Sequence, residues 1–172
     1  MSKGLLQIYT GNGKGKTTAA TGLILRALGH NWRVLLVRFL KPAETASGEV
    51  RMLRQLSGID ILDAGLGGVY DAADPDAVAL DVQRTLVRAK EQLMQGYELA
   101  VFDEFNGLFR RSYLSLAEGL ELVDQRPPQT ELVLTGRHAP AELLERADLV
   151  TSMEPLRHPF EQGLGARPGI EY

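Results

Sequence analysis

Short apolar runs alternate along this chain with longer stretches whose apolar residues recur at three- and four-residue steps. The short runs predict strands over residues 5–9, 34–39, 60–62, 99–103, 131–135 and 148–151. Several of these are apolar at nearly every position, as strands covered on both faces tend to be. Between them, residues 16–28 read as a helix, with Gly29 where a helix end favours glycine. Residues 76–95 predict the longest helix, with Val78, Val82, Leu86, Ala89 and Leu93 on one apolar face. Shorter helices are expected over 49–56, 114–124 and 141–145. Strands alternating with helices argue βαβ units. The expected fold is α/β: a mostly parallel six-stranded sheet with helices on both faces. Residues 1–172 form a single domain in this reading, with an irregular Gly/Pro-rich tail from about residue 153.

Composition narrows the chemistry. The 172 residues are enough for one domain with a sizeable core, and the net charge of −3 lacks the basic field expected of a nucleic-acid binder. The absence of cysteine excludes disulfides, cysteine-ligated zinc and thiol nucleophiles. No apolar run reaches the roughly 18 to 20 residues of a membrane span. Met1-Ser2-Lys3 leads almost directly into the first predicted strand, the arrangement expected of a cytoplasmic protein without a signal peptide.

The segment YTGNGKGKTT, residues 9–18, lies between the first predicted strand and helix. A phosphate loop is usually G-x-x-x-x-G-K-[ST]. Counting back from Gly15-Lys16-Thr17 puts Thr10 at the first glycine position; with Gly11 in that role the loop is one residue short. The chemistry still fits. Gly11, Gly13 and Gly15 permit positive φ and close approach of the backbone to an anion, and the following helix points free N–H groups and its positive dipole end at phosphates. Lys16 would neutralise outer phosphate charge, and the Thr17 hydroxyl would ligate Mg²⁺. The predicted strand 99–103 runs into Asp103-Glu104, which supplies carboxylates for the metal; Mg²⁺ keeps several waters and needs only one or two. These residues specify a nucleotide site, which makes the expected fold a single-domain, P-loop NTPase-like (RecA-like) one and residues 1–172 a nucleotide-binding domain, but they leave the reaction open between phosphoryl transfer, a nucleotide-controlled switch and other chemistry.

The chain resembles the P-loop ATP:corrinoid adenosyltransferases over nearly its whole length. The resemblance is carried by YTGNGKGKTTAATGLILRALGH, VRFLK, VFDE, LVLTGRHAP, ADLVTSM and RHPFEQGLGARPGIEY. It implies that the short loop is the family's normal form and holds the triphosphate of ATP as a leaving group, while cobalt(I) of a reduced corrinoid attacks C5′. By that resemblance, Gly11, Asn12, Gly13, Lys14, Gly15, Lys16, Thr17 and Thr18 hold the triphosphate. Thr17, Glu104 and the neighbouring Asp103 hold Mg²⁺, and Arg137 lies near the nucleotide. The catalytic set is then Lys16, Thr17 and Glu104. A reduced flavoprotein as electron donor, a homodimer, and no nucleic-acid or membrane partner are also implied. The family's Gly-Phe-Thr-Trp corresponds to Gly67-Gly68-Val69-Tyr70, which leaves Tyr70 as the aromatic near the corrinoid, and its Gln before Phe-x-Lys is Arg38. The rival expectation is a nucleotide-dependent corrinoid carrier or switch that transfers no adenosyl group.

Overall fold

The computed structural model describes residues 3–41, 47–66, 74–159 and 163–172. The six expected strands form: β1 (Leu6–Thr10), β2 (Val34–Arg38), β3 (Ile59–Asp63), β4 (Leu99–Asp103), β5 (Glu131–Thr135) and β6 (Leu149–Ser152). They make one sheet in the order β3-β2-β4-β5-β1-β6, with every neighbouring pair parallel. The helices are α1 (Lys16–Leu28), α2 (Gly48–Leu53), α3 (Pro75–Leu93), α4 (Gly107–Arg110), α5 (Leu116–Gln125) and α6 (Ala141–Arg146). The one-turn α4 has too few residues to leave a periodic signal, and the sequence reading omits it.

Strand alternation divides the core into two layers. Leu35 and Val37 of β2, Ala100 and Phe102 of β4, and Leu132 and Leu134 of β5 join the α3 residues Val78, Val82, Leu86, Ala89 and Leu93 in one cluster. Val34, Leu36, Leu99, Val101 and Val133 face the other way, onto Ala20, Ile24 and Ala27 of α1. Helices therefore cover both faces, as the uniformly apolar central strands require. The edge strand β6 departs from that pattern: all four of its residues are exposed.

Helix boundaries follow capping chemistry. The long helix starts at Pro75 because the Asp74 side chain accepts from the Asp76 N–H at 3.1 Å. The expected 114–124 helix instead begins at Leu116, because Ser115 and Glu118 form a capping box. Gly29 does cap α1, but at φ −63, an ordinary right-handed conformation; the left-handed residue of that turn is Asn31 at φ 59. After β6 the chain forms no further α-helix or β-strand among the described residues. No helix among them is long and apolar enough to cross a membrane.

Candidate nucleotide site

The glycine-rich loop joins the carboxyl end of β1 to α1, at the edge where parallel α/β sheets bind ligands. Gly15 at φ 115 is the N-cap of α1, and no side chain caps this helix start. The N–H groups of the first turn are thereby left for an anion. Gly11 also lies in the left-handed region, at φ 90, but Gly13 does not. The reason for glycine at position 13 is space: a Cβ there would stand 2.7 Å from the Met153 carbonyl oxygen, and one on Gly11 only 2.4 Å from the same atom. Met153 directly follows β6. Its carbonyl accepts from the Gly13 N–H at 2.6 Å, and its N–H donates to the Thr10 carbonyl at 2.9 Å. The loop is thus braced from outside by the end of the edge strand, a partner the local motif did not reveal.

Lys16 is buried, and its ammonium donates to the carbonyls of Gly11 at 2.8 Å and Gly13 at 2.6 Å. Burial pushes this ammonium below the ordinary lysine range, while Glu104 pulls in the opposite direction and Arg137 in the same one. Lys14, Asn12 and Thr18 are exposed. The Lys14 ammonium points towards the chain end, bonding the Ile170 carbonyl at 2.8 Å and Glu171 at 2.9 Å. Arg137 is exposed too, with its charge felt by both Lys16 and Glu104.

One strand separates the loop from the acidic residues, since β5 lies between β1 and β4. At about 5 Å per strand, β1 and β4 are about 10 Å apart. Two threonines bridge that distance. Thr17 in the first turn of α1 donates to Asp103 Oδ1 at 2.9 Å, and Thr135 at the end of β5 donates to the same oxygen at 2.6 Å. The Lys41 ammonium, three residues past β2, pairs with Asp103 Oδ2 and also donates to Thr17 Oγ1 at 3.2 Å. Asp103 is 2% exposed. Burial works against its charge, but Lys41 and the two hydroxyls outweigh burial and hold the carboxyl below the usual range.

The adjacent Glu104 shows the opposite behaviour. Its backbone sits at φ 60, with its N–H donating to Thr135 Oγ1 at 3.0 Å. Burial and then the neighbouring Asp103 push its carboxyl up, only partly countered by Lys41, Lys16 and Arg137. Behind both carboxylates lies an aromatic cluster: Phe105 contacts Phe39, Phe102 and Phe109 with centroids 5.5 to 5.8 Å apart.

Thr17, Asp103 and Glu104 give a hard-oxygen set that suits Mg²⁺ completed by phosphate oxygens and water. Among the described residues no group of three or more His, Cys, Asp or Glu gathers to hold a metal by itself. The structure therefore brings Lys16, Thr17, Asp103 and Glu104 together. Lys41, Thr135 and Met153 are members to which sequence reasoning gave no role, although they stand in the quoted segments VRFLK, LVLTGRHAP and ADLVTSM, at or just past a strand's carboxyl end.

Arg38, at the position of the family's Gln, is buried at 2% exposure and lines a small cavity with Thr17, Glu49 and Asp103; its guanidinium pairs at 2.7 Å with Asp63, its register partner on β3, which also binds Arg54 at 2.6 Å. His138, at φ 59, contacts Arg110 at 2.8 Å. Tyr70 and the rest of 67–70 lie outside the described residues, as does the 42–46 part of the segment that follows Lys41. A separate surface cleft, lined by Gln83, Phe109, Tyr113 and Glu118 among others, shares no residue with the loop or the acidic pair.

Comparison with known proteins finds relatives along nearly the whole chain. The family model for ATP:corrinoid adenosyltransferase BtuR/CobO/CobP matches residues 2–172. A corrinoid adenosyltransferase from Sinorhizobium sp is 35% identical, the match covering 99% of this chain and 81% of that protein. One from Escherichia coli K12 is 33% identical over 99% of this chain and 86% of that protein. The crystal structure of the flagellar accessory protein FlaH from Methanocaldococcus jannaschii matches with a TM-score of 0.57 at 15% identity, over 88% of this chain and 72% of that one. That last likeness is one of fold alone, a P-loop NTPase-like sheet.

Proposed function

The chain belongs to the ATP:corrinoid adenosyltransferase BtuR/CobO/CobP family and is a transferase that moves an adenosyl group to a corrinoid; on that premise we propose that the donor is ATP and the acceptor a corrinoid in the cobalt(I) state. The cobalt lone pair attacks C5′ of ATP and forms the cobalt–carbon bond. The C5′–O5′ bond breaks, its electron pair leaves on the triphosphate, and cobalt ends two oxidation levels higher. The reaction needs no protein nucleophile or general base, which suits a chain without cysteine.

The observation that carries this reading is the joining of the loop and Asp103 through Thr17 at 2.9 Å, which makes a charge clamp for a triphosphate. Gly11 to Thr18 would wrap the phosphates, with the free first-turn N–H groups of α1 as donors. Lys16 would exchange its bonds to the loop carbonyls for the phosphates and stabilise charge developing on the leaving group. Thr17, Glu104 and Asp103 would hold Mg²⁺, which when bound neutralises triphosphate charge and fixes the leaving group. Holding both reactants in one orientation supplies the rest of the acceleration. Tyr70 near the corrinoid, Arg137 near the nucleotide, a reduced flavoprotein as electron donor, a homodimer and a cytoplasmic setting rest on the resemblance carried by the motifs quoted above.

The test is an anaerobic visible-spectrum assay with protein, Mg-ATP and chemically reduced corrinoid in dim light, followed by photolysis, with Lys16→Ala as control. Wild-type protein is expected to give a product that reverts on illumination, together with free triphosphate. A spectrum that stays that of cobalt(I) while ATP still binds would overturn the transfer and leave a corrinoid carrier or nucleotide switch.

A further inference from the structure

Asp103 is a buried carboxylate with a full set of partners before any metal is considered. Thr17 and Thr135 donate to one oxygen and the Lys41 ammonium takes the other. Lys41 also reaches Thr17 Oγ1 at 3.2 Å, so a single ammonium touches both groups at the centre of the divalent-cation site. Lys16 does not share this duty, because its ammonium is turned back onto the loop carbonyls. Among the described residues Lys41 supplies the one ion pair to Asp103.

We propose that Lys41 is the resident cation of the metal site: it neutralises Asp103 in the nucleotide-free protein, and the divalent cation displaces it. The proposal rests on the assignment of Mg²⁺ to Thr17, Asp103 and Glu104. A buried carboxylate is costly without a counter-charge, so an ammonium there stabilises the empty site. An ammonium and a divalent ion cannot both contact the same carboxylate and hydroxyl without strong repulsion in a partly desolvated setting. Lys41 can leave, since its side chain is 28% exposed whereas that of Asp103 is 3% exposed, and its flexible four-carbon stem carries a head that water solvates well. Metal alone must compete with this ammonium, but metal arriving with triphosphate brings anionic oxygens that favour the exchange. Cation occupancy is thereby made conditional on nucleotide, and the segment that follows β2 receives a charge released by metal binding.

The test reads metal binding, not turnover, and uses no corrinoid, so it is separable from failure of the transferase reading. Mn²⁺ serves as probe, followed by electron paramagnetic resonance and by the thermal midpoint without nucleotide. Wild-type protein is expected to bind Mn²⁺ weakly and to show little midpoint change on its addition. Lys41→Met should unfold at a lower temperature without metal, bind Mn²⁺ alone at least tenfold more tightly, and regain its midpoint when Mn²⁺ is added. Adding Asp103→Asn to that variant should abolish the gain. Equal Mn²⁺ affinity in wild type and Lys41→Met would overturn the proposal even if the midpoint fell, because a purely structural lysine does that. A gain that survives Asp103→Asn would overturn it as well. Should Lys41→Met not fold, Lys41→Arg keeps a cation with a bidentate grip and is expected to weaken Mn²⁺-nucleotide binding about fivefold or more; unchanged binding would overturn the proposal.

Discussion

The two halves of the nucleotide site are made of different material. The phosphate loop is built from backbone: Gly11 and Gly15 at positive φ, the uncapped start of α1, and the carbonyls of Gly11 and Gly13 that hold Lys16. The acidic end of β4 is built from side chains that converge from four elements, with α1, the segment after β2, and β5 all contributing to Asp103. A backbone device is specified by neighbours in sequence and fails when a Cβ or an altered φ intrudes. A side-chain device is specified by strand order and fails when one charged partner is removed. The two therefore break in distinguishable ways.

The largest expected effect is on the loop's chemistry. Lys16→Ala should lower kcat for adenosyl transfer by about 10²- to 10³-fold, the usual result of deleting a donor aimed at developing charge, with little change in the midpoint of urea unfolding. Asp103→Ala should do the reverse in kind, lowering stability by about 2 kcal/mol because it removes the acceptor of the buried Thr135 hydroxyl and of the part-buried Thr17 hydroxyl; urea titration checks it. If Asp103→Ala were as stable as wild type, the side-chain account of this half would be wrong.

Within the loop, Gly13→Ala forces a Cβ against the Met153 carbonyl and should cost about 1–3 kcal/mol. Gly22→Ala, in the middle of α1 with open space around it, should be stabilising by about 0.5–1 kcal/mol. Thermal scans of the pair would show whether glycine at position 13 answers to β6 or only to phosphate. The smallest effect concerns Glu104. Its folded-state carboxyl is raised, by burial first and Asp103 second, so ionisation on going to neutral pH weakens the metal-free fold. Glu104→Gln should therefore exceed wild type in stability at pH 7 without metal, and that advantage should shrink as pH falls through the raised value. Asp103 has the opposite sign: held below the usual range, its contribution is present above the ordinary carboxylate pKa and is lost as pH falls through the depressed one. Urea midpoints from about pH 2 to about pH 8 for both variants would separate the two neighbours.

Much of this was legible along the chain. Apolar periodicity located the six strands and five of the six helices among the described residues, and its signal is strongest in β2, β4 and β5, because the centre of an α/β sheet is covered on both faces. It located the face of α3 residue by residue, with Val78, Val82, Leu86, Ala89 and Leu93 all buried. The spacing of Gly11, Gly13, Gly15 and Lys16 located the loop, since positive φ and an open helix start are local properties. Asp103 and Glu104 were legible as a strand end. Their opposite electrostatics were not, because these depend on which side chains stand across the carboxyl edge of the sheet. The order β2-β4-β5-β1 decided that Lys41 and Thr135 would reach Asp103, and the β1–β6 pairing placed the Met153 carbonyl against Gly13. Arg38 marks the same boundary. The parallel register set it between Asp63 on β3 and Asp103 on β4, and it pairs with Asp63, because a buried guanidinium needs a carboxylate. Local chemistry was written in the sequence; partners distant in sequence were chosen only when the strands took their order.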